Sequence, residues 1–144
     1  MSMELIVILA ATQAPDVDAW NKALASASVP VAFVPADLSH HGGFLPATLK
    51  GQKTGLRSFS ISSYSELVSY YPSVAAIKTQ NPVVYELGYG GDWLEAATVF
   101  YSASVLVLKF GGTAFDPQGG MVMDAAALLE AAKQCEEELA RQAQ

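Results

Sequence analysis

An unbroken apolar run near the start of the chain is the feature that most constrains its fold. Residues 5–11 read Leu-Ile-Val-Ile-Leu-Ala-Ala, with no polar side chain to mark a solvent-facing side. A strand exposed on one face alternates apolar and polar residues, whereas a strand covered on both faces is continuously apolar. The run therefore predicts a central strand, from about Met3 to Ala11, with other elements packed on both faces.

A secretion signal and a membrane-spanning helix are two other interpretations of the apolar stretches, and neither is favoured. A secretion signal carries Lys or Arg ahead of its apolar part, and here Glu4 stands in that place. The second stretch, Leu94 to Leu108, contains Glu95 and is shorter than the ~20 residues that span a bilayer. We therefore expect a cytoplasmic protein that does not enter membranes, in which this second stretch forms a core helix.

Caps, turns and periodicity divide the rest of the chain. Helices are expected to start near Pro15, Ser63, Asp92 and Asp124, and strands at 29–34, 44–49, 53–62, 83–89, 113–115 and 121–123. In the strand at 53–62, alternation predicts Arg57, Phe59 and Ile61 on one face and the serines 58 and 60 on the other. The resulting order, β-α-β-β-β-α-β-α-β-β-α, predicts one α+β domain over residues 1–144. We expect a mixed, mainly antiparallel sheet with three or four packed helices, whose opening β-α-β-β portion resembles the start of a ferredoxin-like sandwich.

One boundary has two interpretations. Residues 105–110 contain enough apolar and β-branched side chains for a strand that turns at Gly111 and Gly112. The alternative is a helix that continues to Phe110 and ends on Gly111 as a C-terminal cap. The Asp92–Glu95 capping box and the Ala and Ser content favour the helix.

Composition and charge exclude several functions. The apolar fraction of 51% excludes disorder, and a single Cys excludes an internal disulfide and a Cys-only metal site. Fourteen acidic and eight basic residues give a formal charge of −6, and the bases are spread along the chain. A nucleic-acid partner is therefore not expected. The overall charge would favour a basic partner, and the charged fraction of only 15% is mild evidence for a partner surface.

Three polar loops contain the candidate site residues. His40 and His41 follow Asp37 in a Gly-rich loop, but adjacent side chains diverge and do not converge on one metal ion. Residues 88–91, Gly-Tyr-Gly-Gly, precede a helix as phosphate-binding loops do. However, Trp93 replaces the third glycine of the dinucleotide motif, and Asp92 and Glu95 would repel a phosphate. A helix cap is favoured there, with a carboxylate pair for acid–base chemistry as the alternative.

The third loop, residues 115–120, reads Phe-Asp-Pro-Gln-Gly-Gly. Asp116 is expected to cap this turn, which leaves Gln118 free for recognition. Cys135 lies on the apolar stripe of the last helix beside three glutamates, so we expect an inert buried thiol. Six aromatic residues lie near two helix ends and one strand, where the rim of the core is the favoured interpretation and an exposed interface surface is the alternative: Tyr70, Tyr71, Tyr85, Tyr89, Trp93 and Tyr101.

These segments together resemble a family of small uncharacterised bacterial proteins. The resemblance rests on Gly42-Gly43-Phe44-Leu45-Pro46, Gly51 through Gly55, the G-G-D-x-x-E motif at 90–95, Gly111-Gly112 and the F-D-P-Q-x-G motif at 115–120, and it covers residues 3–123. It implies an intracellular bacterial protein with helices and strands and supports the helix at 94–110. It assigns no activity and therefore no catalytic residue.

The sequence therefore predicts a non-catalytic binding or interaction protein, with no cofactor and no metal. An immunity-type protein, or an accessory protein for a secreted effector, is the more specific form of that hypothesis. The alternatives are a small enzyme or ligand-binding domain that uses the loop carboxylates, and a homo-oligomer such as a dimer. The candidate binding residues are Asp92, Glu95, Trp93, Asp116, Gln118, His40 and His41.

Overall fold

Helices and strands follow one another in the order that the sequence predicts. A computed structural model describes residues 3–143. Its strands are β1 (Met3–Ala10), β2 (Val31–Phe33), β3 (Gly43–Leu49), β4 (Gln52–Ser63), β5 (Pro82–Tyr89), β6 (Thr113–Asp116) and β7 (Met121–Met123). Its helices are α1 (Val17–Ser26), α2 (Tyr64–Tyr70), α3 (Trp93–Phe110) and α4 (Ala125–Gln142). Short 3-10 helices span Leu38–His40 and Pro72–Ala76.

The seven strands form one sheet in the order β2-β3-β4-β5-β1-β6-β7. Every strand pairing in the described part of the chain is antiparallel, which confirms the α+β class. The opening elements are β-α-β-β in chain order, but β3, β4 and β5 lie between β1 and β2 in the sheet. The first strand of the sequence therefore lies inside the sheet, between β5 and β6.

The central strand β1 is covered on both faces, as its apolar run predicts. Leu5, Val7 and Leu9 point into a large core formed with the helices α1, α3 and α4; we call this side of the sheet the helix face. Ile6 and Ile8 point the other way, toward a smaller core on the side that we call the outer face. The outer core is covered by α2 and the 3-10 helix 72–76, which contribute Leu67 and Val74.

Helix α3 is the centre of the helix face. It packs on β1, β4 and β5 and is flanked by α1 and α4. Of the helices in residues 3–143, it alone is long and apolar enough to cross a membrane by length and composition, and more than half of it is buried inside the protein. Core helices pass the same test, and the contacts of α3 within this fold account for its composition.

The ends of the helices show which interpretation of residues 105–110 is right, and they correct two expectations about the starts of α1 and α3. Helix α3 continues to Phe110, and Gly111 ends it in the left-handed conformation (φ 67°), so residues 105–110 are not a strand. Pro15 precedes the N-cap Asp16 of α1 instead of occupying its first helical position. Glu95 accepts a hydrogen bond from the Gly90 amide, two residues before the position that a standard capping box uses.

The free edge of β2 is closed by a side chain. The amide group of Asn21, on α1, accepts a hydrogen bond from the Phe33 backbone N–H (2.8 Å) and donates one to the Phe33 carbonyl (2.9 Å). An unpaired edge strand is a template for pairing with another chain. Asn21 occupies the backbone groups of Phe33 that another strand would use.

A charged contact joins α4 to the β3–β4 turn. Lys50 and Gly51 both have positive φ (52° and 82°), as in a two-residue hairpin. The Lys50 ammonium lies 2.7 Å from a Glu136 carboxylate oxygen, and the Tyr101 hydroxyl of α3 donates to the same carboxylate. Burial alone would raise the pKa of Glu136, but the hydrogen bonds from Lys50 and Tyr101 and the Lys50 charge together hold this pKa below its ordinary value.

We expect Glu136→Gln to destabilise the protein in a pH-dependent way. A carboxyl group whose pKa is lowered by folding stabilises the protein above its ordinary pKa, and loses that effect as the pH falls through the folded-state pKa. The substitution should lower the free energy of unfolding by about 1 kcal/mol at about pH 7, and the difference from wild type should shrink below about pH 4.5. Urea unfolding at a series of pH values measures this.

Glu137→Gln is the matched control, because Glu137 is the exposed neighbour on the same helix. Its unfolding curve should follow wild type at each pH. A Glu136→Gln deficit that is the same at neutral and acidic pH would contradict the assigned contact.

Candidate binding surface

The carboxylates of the glycine-rich loop serve the backbone. Asp92 is the N-cap of α3 and accepts from the Leu94 amide at 2.8 Å. Glu95 accepts from the Gly90 amide at 3.2 Å. Both acids are thus engaged by main-chain donors of their own loop and helix, in agreement with the capping interpretation.

Asp116 and Gln118 lie at the same end of the sheet as this loop. Asp116 accepts from the Gln118 backbone amide at 3.0 Å, which closes the turn between β6 and β7. With its side-chain nitrogen turned toward them, Gln118 donates to the Glu4 carbonyl (3.2 Å) and to an Asp116 carboxylate oxygen (3.0 Å). Gln118, predicted to be free for recognition, therefore has structural partners on β1 and in its own turn.

The two histidines have separate partners. The His40 ring contacts the Asp37 carboxylate at 2.8 Å. Hydrogen bonds from Ser39 and then from His40 lower the pKa of Asp37. His41 points elsewhere, and its Nε2 donates to the Phe44 carbonyl at 2.8 Å. Within residues 3–143, no three His, Cys, Asp or Glu side chains come together in an arrangement that could hold a metal ion.

Trp93 lines an open groove between α3 and α4. The groove has a volume of about 600 Å³, and Phe100 and Cys135 also line it. Cys135 is buried, and burial followed by the Glu138 charge raises the pKa of its thiol. Arg141, at the rim, pairs with Glu138 at 2.7 Å and not with Glu137.

For three of the six aromatic residues, the structure excludes the alternative of an exposed interface surface. Tyr85, Tyr89 and Tyr101 are buried. The Tyr85 hydroxyl donates to the Pro15 carbonyl at 2.8 Å, and Tyr101 donates to Glu136. The hydroxyl groups of Tyr85 and Tyr101 therefore have partners inside the fold, which makes the burial of these two side chains favourable. Tyr70 is 75% exposed, and Tyr71 and Trp93 are half-buried.

A small acidic cavity lies beside α2 on the outer face. Glu4, Glu66 and Glu86 line it together with Tyr70 and Tyr71, and its volume is about 350 Å³. Burial, and then the charge of Glu86, raise the pKa of Glu4. Glu86 accepts a hydrogen bond from Ser60 at 2.9 Å. This cavity marks the border between the covered and the uncovered parts of the outer face.

Beyond that border, the outer face over β2, β3 and β4 carries no helix within the described residues. We call this region the open half of the outer face. It holds a groove of about 410 Å³, mostly apolar in its lining. Phe44 is 52% and Val34 50% exposed, and Pro46 lies between them in the groove wall. On β4, Lys53, Gly55 and Arg57 lie on the outer face, whereas Thr54 and Leu56, which alternate with them, lie on the helix face.

Phe44 is held in a fixed place on this surface. A Cβ atom on Gly55 would lie 2.7 Å from the tip of the Phe44 ring, so the ring lies directly over the glycine. His41 holds the Phe44 carbonyl from the preceding loop. A half-exposed aromatic ring with its position already set loses little entropy when a partner covers it.

A β-bulge explains where Arg57 points. The β3–β4 register shifts between Gly43 and Leu45, so Phe44 lies opposite two β4 residues, Arg57 and Ser58. Leu56 and Phe59 both enter the core of the helix face. The expected alternation, with Arg57 and Phe59 on one face, is therefore wrong. Arg57 lies on the outer face, and its guanidinium group passes over Gly90.

No family model, curated protein or solved structure matches this chain. The resemblance to small bacterial proteins therefore stays a prediction. The surface residues Val34, Phe44 and Pro46 were not among the predicted site residues. The signal that points to them is the alternation of residues 44–49, in which Phe44, Pro46 and Thr48 share the face opposite to Leu45, Ala47 and Leu49.

We expect Gly55→Ala to destabilise the protein, because Gly55 lies beneath the Phe44 ring. The added methyl group would meet the Leu45 carbonyl and the Phe44 ring, so the backbone or the ring must shift. Overpacking of this kind should lower the free energy of unfolding by about 1–3 kcal/mol in urea.

Gly91→Ala is the control, because no atom lies within 4 Å of the Cβ position of Gly91. Its unfolding free energy should stay within about 0.5 kcal/mol of wild type. Equal stability of the Gly55 and Gly91 variants would show that Phe44 does not rest on Gly55.

Proposed function

We propose that this chain is a non-catalytic binding protein and that the open half of the outer face is its protein-binding surface. The observation that carries the proposal is a half-exposed aromatic ring, Phe44, fixed over Gly55 in an apolar groove of an uncovered sheet. An antiparallel sheet tolerates solvent on one face, but solvated faces are normally polar. Exposed apolar residues grouped in this way are typical of interaction sites.

The loop carboxylates give less support to the enzyme alternative. A general base must be free to accept a proton from a substrate. Asp92 and Glu95 each accept a hydrogen bond from a backbone amide, and Asp116 closes its own turn. An enzyme that used these groups would have to exchange structural hydrogen bonds for substrate contacts.

A different protein is favoured over a second copy as the occupant. Two copies that met face to face would bring the bases beside each groove together, and each copy also carries a charge of −6. Both effects oppose self-association. An immunity-type protein, or an accessory protein for a secreted effector, is the specific form of this proposal that the sequence suggested.

The direct test compares three forms of the protein as bait in an extract of the organism that makes it. Phe44→Ser removes the ring from the open half, and Leu108→Ser removes a similarly exposed apolar side chain (59%) from α3. We expect a protein that wild type and Leu108→Ser retain and Phe44→Ser loses. Titration of that protein should show a loss of affinity of about tenfold or more for Phe44→Ser.

Identical sets of retained proteins from all three baits would contradict the proposal. A concentration-dependent dimer that Phe44→Ser abolishes, seen by light scattering, would show that a second copy is the occupant. A secreted effector in the retained set would support the immunity-type form.

A further inference from the structure

The open half of the outer face differs in charge from the rest of the protein. The chain carries −6 overall, yet the charged side chains on the outer side of β4 are Lys53, which lines the groove, and Arg57, which are both basic. Within residues 3–143, neither has a carboxylate oxygen within 4.0 Å, whereas Lys22, Lys50 and Arg141 do. The two bases of this surface therefore keep their charge available.

These bases lie on either side of Gly55 along the outer side of β4. Lys53 lines the groove, and the Arg57 guanidinium group lies beyond Phe44, over Gly90. In the register of β3 and β4, Lys53 lies opposite Thr48, Gly55 lies opposite Pro46, and Arg57 lies opposite Phe44. Four residue-to-residue steps along the strand separate their Cα atoms, which is about 13 Å. The order along the outer side of β4 is thus a base, a glycine covered by the Phe44 ring, and a second base.

The side chain of Arg57 also has a defined position before a partner binds. Its guanidinium Nη1 lies 3.0 Å from the position of a Cβ on Gly90, so this glycine makes room for the side chain. A guanidinium group presents a planar fork of donors that matches a carboxylate. Bases at the rim of an apolar patch select partners with acidic residues at matching positions.

From this arrangement we infer that the partner presents an extended segment with an apolar side chain for the Phe44 groove and acidic residues on both sides of it. The inference rests on the proposed function and adds the chemistry of the partner. It departs from the expectation of a basic partner, because the charge that a partner meets is the charge of the contacted surface and not that of the whole chain.

Selection of short random peptides on the full-length protein tests this chemistry. Peptides selected on wild type should be rich in Asp or Glu on both sides of an apolar residue, and added salt should weaken their binding. The double variant Lys53→Glu/Arg57→Glu should bind them about tenfold more weakly or worse. Lys53→Gln/Arg57→Gln should show a smaller loss, and Lys109→Glu, on α3, should bind as wild type does.

Two different failures can be told apart. If peptides lose binding in Phe44→Ser but bind the Lys53/Arg57 charge reversal as tightly as wild type, the acidic-partner inference is overturned and the proposed function stands. If the selection yields no peptide that depends on Phe44, both are contradicted. The unfolding curves of the variants should match that of wild type. This control shows that a loss of binding is not a loss of fold.

Discussion

The burial of β1 on both faces is the constraint on which the rest of the structure depends. Five consecutive side chains, from Leu5 to Leu9, are completely or almost completely buried. A strand of this kind must lie inside the sheet with packed layers above and below it. One layer is the helix face with α3 at its centre, and the other is the short α2 with the 3-10 helix 72–76.

The unequal size of these two layers leaves uncovered the surface that we propose for binding. Three helices pack on the helix face, but α2 has only seven residues and covers the outer face around Ile6, Ile8 and Val84. The outer side of β2, β3 and β4 receives no such cover within residues 3–143. The glycines at 55 and 90 lie under Phe44 and Arg57, so this surface is both uncovered and ordered.

The order of the elements could be predicted because its signals are local. Caps at Ser63, Asp92 and Asp124 and the glycine at 111 fixed the helix ends, and residues 105–110 proved to be helix. The neighbours of β1 could not be predicted, because strand order depends on contacts that are distant in sequence. The β4 bulge was also missed, and it changed the faces expected for Arg57 and Phe59.

The site was harder to predict than the fold for a related reason. Alternation shows that Phe44, Pro46 and Thr48 share a face, but it does not show which face the helices leave open. The sequence pattern pointed instead to polar residues in loops, and most of these accept hydrogen bonds from the backbone: Asp92 and Glu95 at α3, and Asp116 in its turn. Of the predicted residues, His41 contacts the proposed surface, through the Phe44 carbonyl.

We propose that a partner covers the open half of the outer face in the cell. Hydroxyl-radical footprinting of living cells and of the purified protein measures this directly, because oxidation of a side chain reports its exposure. Met121, 58% exposed on β7, is the internal reference. We expect oxidation of Phe44 relative to Met121 to be much lower in cells than in the purified protein. An equal ratio in the two samples would contradict it.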